Sequence, residues 1–333
     1  MATVSLSEFH HVPHTHCSST SIQDVLRYDD QEFSEAMIFG LGSGLGFFYF
    51  RQEGGNPTCR FNGRADDLEG KFYTLVGSPL EWRGRWDPPW IADTLAAGRP
   101  LIAQTDIGYL PHYREGSREP VHFPLHGVVV AELDGAAGTV RIADTFSPDL
   151  ITVRLKDFES ALVGEGSPMM RPYNIAEAPF VELSVTEELL AQAIRIAVEE
   201  MLNPNRRELG LPAMHRLANE IQRWHDLPDW KWCARFAYQG IEKRGSGGGG
   251  FRPMYADFLG EAGRWIPELR AIGAEQRARE SGARWTELAA LCKAAAIEGK
   301  PAALTDAGQV MAAIARHEED LLRDMADAVR PLL

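Results

Sequence analysis

Two short apolar runs separated by a turn constrain this chain more than any other feature. His126-Gly-Val-Val-Val130 runs on to Glu132, and Thr139-Val-Arg-Ile-Ala143 follows; Leu133-Asp-Gly-Ala-Ala-Gly138 between them carries turn residues. The pattern predicts an antiparallel hairpin centred near residues 135–136, in which paired residue numbers sum to about 270 or 271. His126 opens the first strand and Asp144 follows the second, so this register makes them cross-strand neighbours at the open end. The two-residue period groups His126 with Val128 and Val130, and Asp144 with Val140 and Ile142. An imidazole beside a carboxylate on a rigid hairpin is the base–orienter half of a catalytic triad. A solvent-facing histidine at a strand start, next to a turn-forming aspartate, is the plainer alternative.

The rest of the first half is also rich in strand and turn signals, whereas the second half changes period. Ser184-Val-Thr-Glu187 is a capping-box pattern, and Leu190, Ile194, Val198 and Met201 follow on one helical face. Trp285, Leu288, Leu291 and Cys292 repeat that logic, as do Val310, Ile314, Leu321, Met325 and Val329. A chain of 333 residues has room for about two domains. Gly164, Gly166, Pro168, Pro172 and Pro179 cluster between the two halves. The expected organisation is therefore an α+β domain over residues 1–165, a linker over 166–183 and a mainly α-helical domain over 184–333.

Composition bounds the function. The chain carries 34 Lys+Arg against 47 Asp+Glu, a formal net charge of −13. There is no basic excess to release counterions, which argues against a protein whose main job is coating nucleic acid and leaves a local basic patch for an anionic partner open. The longest uncharged apolar stretch, Met37 to Phe50, is interrupted by glycines and too short for a membrane span, and no signal-peptide pattern is visible. The four cysteines, Cys17, Cys59, Cys233 and Cys292, form no CxxC pair and read as reduced thiols. The expectation is a cytoplasmic protein with no nucleic-acid or membrane partner.

Cys17 is the most informative thiol. It lies in His14-Thr15-His16-Cys17-Ser18-Ser19-Thr20, just ahead of a helix containing Ile22, Val25 and Leu26. A helix N-terminus favours thiolate through its dipole and free amides. A nucleophilic cysteine needs a base and an orienter, which His126 and Asp144 would supply; a buried structural cysteine is the alternative. His10, His11, His14, His16 and Cys17 could bind a metal, since His10 and His14 are four apart, but no HExxH or paired CxxC accompanies them and coordination would consume the nucleophile, so no metal is expected. Gly40-Leu-Gly-Ser-Gly-Leu-Gly46 has neither a P-loop nor a dinucleotide pattern and reads as a close-packing or substrate-approach loop. Gly245-Ser246-Gly247-Gly248-Gly249-Gly250 could be an anion-binding nest beside Lys243, Arg244 and Arg252, or a mobile connector.

The order cysteine, strand histidine, then aspartate is that of papain-like folds, and the resemblance becomes specific on particular residues. His16-Cys17 with its helix, then Ser34 to Phe47, Gly98-Arg99-Pro100, Asp106 with Tyr109-Leu110-Pro111, His126-Gly-Val-Val-Val and Ala143-Asp144 resemble the N-terminal domain of butirosin biosynthesis protein H. Gly240-Ile241-Glu242, Gly245 to Gly250, Phe251-Arg252, Met254-Tyr255 and Phe258-Leu259 resemble the domain that often follows it. The founding member moves an aminoacyl group from an acyl carrier protein thioester to an amine of an aminoglycoside.

The resemblance implies a papain-like domain with a helical one behind it, and an acyltransferase of specialised metabolism using Cys17, His126 and Asp144. The donor would be an acyl carrier protein or other acyl thioester, and the acceptor a small-molecule amine or amino acid. No resident cofactor is implied, because 4'-phosphopantetheine would arrive on the donor protein. Papain-like enzymes place a glutamine ahead of the cysteine for the oxyanion hole. Here the nearest equivalent is His11, with backbone amides, including that of Cys17, as the alternative. Glu35 and Asp106 match family positions and could hold a cationic amine; Tyr109 accompanies them, and Arg252 with the Gly245–Gly250 loop would face an anionic donor or acceptor. The helical domain would cover the cleft. A thioesterase, amidase or peptidase would use the same triad with water as acceptor, and a non-catalytic binding protein would keep the fold with an unreactive Cys17. Sequence leaves a homo-oligomer open.

Overall fold

The structure, a computed structural model, describes residues 3–114, 122–167 and 170–333. Its strands are β1 (Thr3–Ser5), β2 (Leu45–Arg51), β3 (Cys59–Arg64), β4 (Leu101–Thr105), β5 (His126–Asp134), β6 (Thr139–Ala143), β7 (Ile151–Arg154) and β8 (Ile175–Glu177). Its helices are α1 (Cys17–Tyr28), α2 (Glu35–Leu41), α3 (Leu68–Leu75), α4 (Pro88–Ala96), α5 (Pro111–Arg114), α6 (Leu155–Val163), α7 (Glu187–Leu202), α8 (Gly210–Glu220), α9 (Trp230–Glu242), α10 (Arg252–Ala262), α11 (Pro267–Ala271), α12 (Ala274–Ile297) and α13 (Ala303–Val329). The class is α+β with a helical C-terminal region, as the change of sequence period predicts. No helix among the described residues is long and apolar enough to cross a membrane.

The chain forms two compact units, Met1–Ile38 with Glu69–Leu183, and Phe39–Leu68 with Ser184–Leu333. This differs from the linear division expected from sequence. Of the span 166–183, residues 168 and 169 lie outside the described residues, but the remainder is no linker. Ile175–Glu177 is β8, paired antiparallel with β4 through Ala103↔Ile175 and Leu101↔Glu177. Three residues between Pro172 and Pro179 are too short a strand to stand out from their turn-forming surroundings. Likewise β2 and β3, which precede the expected boundary, belong to the second unit. There β2 pairs with β3, and Phe48 forms an isolated bridge to Leu209.

In the first unit β5 is the strand around which the antiparallel sheet is built. The sheet order is β7-β6-β5-β4-β8, and β1 also pairs with β5. β4 takes the first half of β5 (Thr105↔His126 to Leu101↔Val130) and β1 takes the second half (Ser5↔Glu132 to Thr3↔Asp134). Val128, Val130, Val140, Ile142, Leu101 and Ala103 alternate into one core, covered by Ile91 and Leu95 of α4 and by Phe158 and Leu162 of α6.

The β5–β6 hairpin forms, centred slightly later than the sequence suggests, because Asp134 Oδ1 accepts from the amides of Ala136 (2.9 Å) and Ala137 (2.8 Å) and so closes the turn. Next to the turn the pairs are Asp134↔Thr139, Leu133↔Val140 and Glu132↔Arg141, but beyond a bulge they become Val130↔Ile142 and Val129↔Ala143. A one-residue slip exchanges the faces of every side chain beyond it. Without the bulge at Ala131, Asp144 would share a face with Gly127; with it, Asp144 shares the face of Val128 and His126.

The second unit has its own core. Gly40 lies under the Phe258 ring, where an added Cβ would sit 2.1 Å from a ring atom, and a Cβ added at Gly46 would sit 2.4 Å from the Ala65 backbone nitrogen. The Gly40–Gly46 run is thus a close-packing element. The α7 cap falls on Thr186, whose Oγ1 accepts from Leu189 N (3.1 Å), rather than on Ser184.

Candidate active site

Cys17 is the first residue of α1. The preceding His16 is extended (φ −108, ψ 127), and its ring accepts from the Ser19 amide, so the helix starts abruptly at the thiol. The lead-in is fastened by Glu35, whose carboxylate accepts from His16 N (2.6 Å), Thr15 N (3.2 Å) and Ser19 Oγ (3.1 Å). Helix α1 lies close on β5 because Gly127 has no side chain. A Cβ there would meet Ser18 Cα at 3.2 Å and Glu69 Oε1 at 2.6 Å. That close approach brings a helix start next to a strand start.

The strand start is His126. Its Nε2 lies 3.0 Å from Asp144 Oδ2, and the ring is hydrogen-bonded to Cys17 as well. With Nε2 committed to the carboxylate, Nδ1 is the nitrogen left for the thiol. Burial alone would push the imidazole down in pKa. Asp144 and Cys17, through their electrostatic influence and the hydrogen bonds to both, overcome it and raise His126 to about 10.

Asp144 is buried and saturated with donors. Oδ2 also meets His112 Nε2 (3.0 Å), while Oδ1 accepts from Tyr113 OH (2.9 Å), Phe146 N (3.0 Å) and Thr145 Oγ1 (3.4 Å). Burial pushes its carboxyl up. His126 and His112 more than reverse that and hold it far below the usual carboxylate range. Tyr113 OH lies 3.4 Å from His126 Nε2, and burial, then the Asp144 charge, push its phenol well up.

The structure thus brings Cys17, His126 and Asp144 together and keeps the other candidate residues out of substrate-facing roles. His11 has both ring nitrogens engaged, Nδ1 with Asp24 Oδ2 (2.5 Å) and Nε2 with the Asp144 carbonyl oxygen (3.0 Å). Burial opposes protonation of His11, but Asp24 outweighs it and raises its pKa. His11 therefore ties α1 to the end of β6 and has no donor to spare for an oxyanion. Glu35 is spent on the Cys17 lead-in. Asp106 is buried and caps the turn that follows it, accepting from Gly108 N (2.9 Å), Phe123 N (3.0 Å), His122 Nδ1 (2.8 Å) and Ser167 Oγ. The Tyr109 hydroxyl donates to the Glu165 carbonyl (2.8 Å). These residues order loops rather than offer a carboxylate to an amine.

Arg252 requires the largest correction. It is buried in the second unit, paired with Glu318 (Nη2–Oε2 2.7 Å, Nε–Oε1 2.8 Å), and its Nη1 donates to the carbonyls of Gly46, Gly63 and Gly250. The Gly245–Gly250 loop is likewise packed. Gly248 N donates to Ser246 Oγ (3.1 Å) and Gly249 N to Glu242 Oε1 (3.3 Å), so a carboxylate already occupies one amide that an anion would need. Neither a mobile connector nor an open nest describes it.

Residues 16–145 match the family described as Butirosin biosynthesis protein H, N-terminal, and residues 156–325 match the Domain of unknown function (DUF4872). The chain belongs to the DUF4872 family, and its residues 16–145 are similar to the N-terminal domain of butirosin biosynthesis protein H. The first matched region begins one residue before Cys17 and ends one after Asp144, so it contains Cys17, His126 and Asp144. The second begins in α6 of the first unit and runs into α13 of the second. No curated protein matches the chain.

Sequence reasoning missed His112, Tyr113 and Asp24. The signal for the first two lies directly after Tyr109-Leu110-Pro111, as a proline followed by an imidazole and a phenol. Asp24 sits two turns into α1, on the face that His11 reaches.

Proposed function

We propose that this butirosin biosynthesis protein H-like chain is a cysteine-dependent acyltransferase of specialised metabolism, with a papain-like catalytic arrangement in its first unit. The observation that carries the reading is a thiol at a helix start, hydrogen-bonded to an imidazole whose other nitrogen meets a buried carboxylate. The family supports an enzyme of antibiotic biosynthesis.

In this reading Cys17 rests as a thiolate beside the His126 imidazolium, and Asp144 fixes the ring. The thiolate attacks the carbonyl of an acyl thioester carried by an acyl carrier protein. The amide of Cys17, in the first turn of α1, is the proposed oxyanion donor in place of His11. Collapse breaks the carbon–sulfur bond to the donor, and His126 gives its proton to the departing thiol. The unprotonated amine of the acceptor then attacks the Cys17 thioester. His126 takes the proton lost by the amine as the amide forms, restoring the thiolate–imidazolium pair. The phosphopantetheine arm is part of the donor substrate.

The test is intact mass spectrometry after mixing the full chain with acyl-pantetheine or acyl carrier protein thioesters, followed by an amine. A mass increase of one acyl group on the wild type and none on Cys17→Ala supports the covalent step. Amide as the dominant product supports transfer. Free acid as the dominant product with every amine tried would leave the thioesterase reading, and no acylation at all would remove both.

A further inference from the structure

The Asp144 carboxylate serves two imidazoles at once. His126 Nε2 and His112 Nε2 both lie 3.0 Å from the same oxygen, Oδ2. A base–orienter pair needs one imidazole, so the second calls for a physical account. His112 sits in the short helix α5 beside Tyr113, which takes the other carboxylate oxygen. The His112 ring packs against Tyr113 and Phe146, with centroids at 4.7 and 5.2 Å, and its side chain is only 11% exposed, so it is held where it points.

Each donor that a carboxylate accepts makes it a weaker partner for the next. An Asp144 serving His126 alone would hold the imidazolium proton more tightly than one shared with His112. A firmer hold on the Nε2 proton stabilises the whole imidazolium, whereas the acylation step requires His126 to release its Nδ1 proton to a departing thiol, whose ordinary pKa is about 8.5. An imidazolium clamped too firmly keeps Cys17 a thiolate ready to attack but leaves the departing thiol unprotonated.

We propose that His112 is a positioning residue that shares Oδ2 of Asp144 and so keeps the His126 imidazolium acidic enough to discharge the donor thiol. This rests on the Cys17–His126–Asp144 reading above. The other titratable groups facing the pair are Cys17 from α1, Tyr113 from α5, and His11, which meets the Asp144 carbonyl through Nε2 and Asp24 through Nδ1. His11 and Asp24 form a pair of their own, and Tyr113 acts in the same direction as His112.

The experiment measures alkylation of Cys17 by iodoacetate across pH, scored by peptide mass, in the wild type, His112→Phe and His112→Gln. Iodoacetate is an anion drawn to the thiolate–imidazolium pair, so its rate falls as His126 loses its proton at high pH. His112→Phe removes the donor and keeps a ring. Its upper limb should move to higher pH by about one unit, and thioester acylation at neutral pH should slow several-fold. The Gln amide places a donor near the position of Nε2, so His112→Gln should restore the wild-type limb. A His112→Phe limb superimposed on the wild type, with melting unchanged, would overturn the proposal, as would a shift that His112→Gln does not restore. If His112→Phe does not fold, Tyr113→Phe removes one hydroxyl donor from Oδ1. An upward shift there supports donor-sharing on Asp144, and an unmoved limb overturns it. A wild type in which Cys17 reacts no faster than the other thiols would instead refute the triad itself.

Discussion

Arg252→Ala is a stability experiment, and the structure sets its size. In the native second unit Glu318 is buried and accepts from four groups, Arg252 Nε and Nη2, Ser281 Oγ (2.6 Å) and Trp285 Nε1 (2.8 Å). Arg252 also satisfies three carbonyls that belong to β2, β3 and the glycine loop, and its guanidinium stacks 4.8 Å from the Trp285 ring centroid. Truncation therefore leaves a buried carboxylate with two neutral donors and orphans carbonyls in three segments. Breaking a buried pair from one side costs roughly 3–5 kcal/mol, which for a unit of this size lowers the melting temperature by about 10 °C.

The pH dependence has a definite sign. Burial pushes Glu318 up, but Arg252 outweighs it and holds the folded pKa below the ordinary value. Its contribution is therefore present above the unfolded carboxylate pKa of about 4.3 and is lost as pH falls. Without Arg252 only the Ser281 and Trp285 donors oppose burial, the carboxyl takes up a proton more readily as pH falls, and the gap between variant and wild type narrows in acid. Replacing both partners, as Arg252→Met with Glu318→Leu, should recover much of the loss because no lone charge stays buried. The assay is urea unfolding at pH 7 and pH 4.5, followed by tryptophan fluorescence. An Arg252→Ala variant within about 1 kcal/mol of wild type, or a gap that widens in acid, would refute the reasoning.

Gly127→Ala should cost about 1–3 kcal/mol by overpacking α1 against β5, and should slow Cys17 acylation more than a surface substitution does, because the displaced helix start carries the nucleophile; thioester release kinetics and thermal melting check both. His126, raised to about 10 from an ordinary 6.5, contributes stability that is complete below about 6.5 and lost as pH rises through about 10. The melting temperature should fall over that window in the wild type and fall less in His126→Gln. Iodoacetamide at neutral pH should label Cys17 ahead of Cys292, which is fully buried and pushed up to about 12 by that burial; peptide mapping reads the order.

Local rules made much of this molecule legible from its sequence. The helix start at Cys17, the turn at Leu133–Gly138, the strands on either side of it and the amphipathic helices of the C-terminal half follow from capping, turn chemistry and period, which act over a few residues. His126 and Asp144 could be paired because a hairpin keeps partners close in sequence. Even there the register needed one fact that no local pattern carries: the bulge at Ala131, without which Asp144 would lie on the other face. The remaining decisions were tertiary. His11 looked like a spare donor until Asp24 and the Asp144 carbonyl took its two nitrogens. Arg252 beside a glycine loop resembles an anion site until Glu318, 66 residues away, claims it. His112 and Tyr113 gained meaning only when α5 came against the end of β6. A side chain's type tells what bonds it can make, but a buried polar group goes to whichever partner the folded chain brings within reach, and that partner is set by packing far along the sequence.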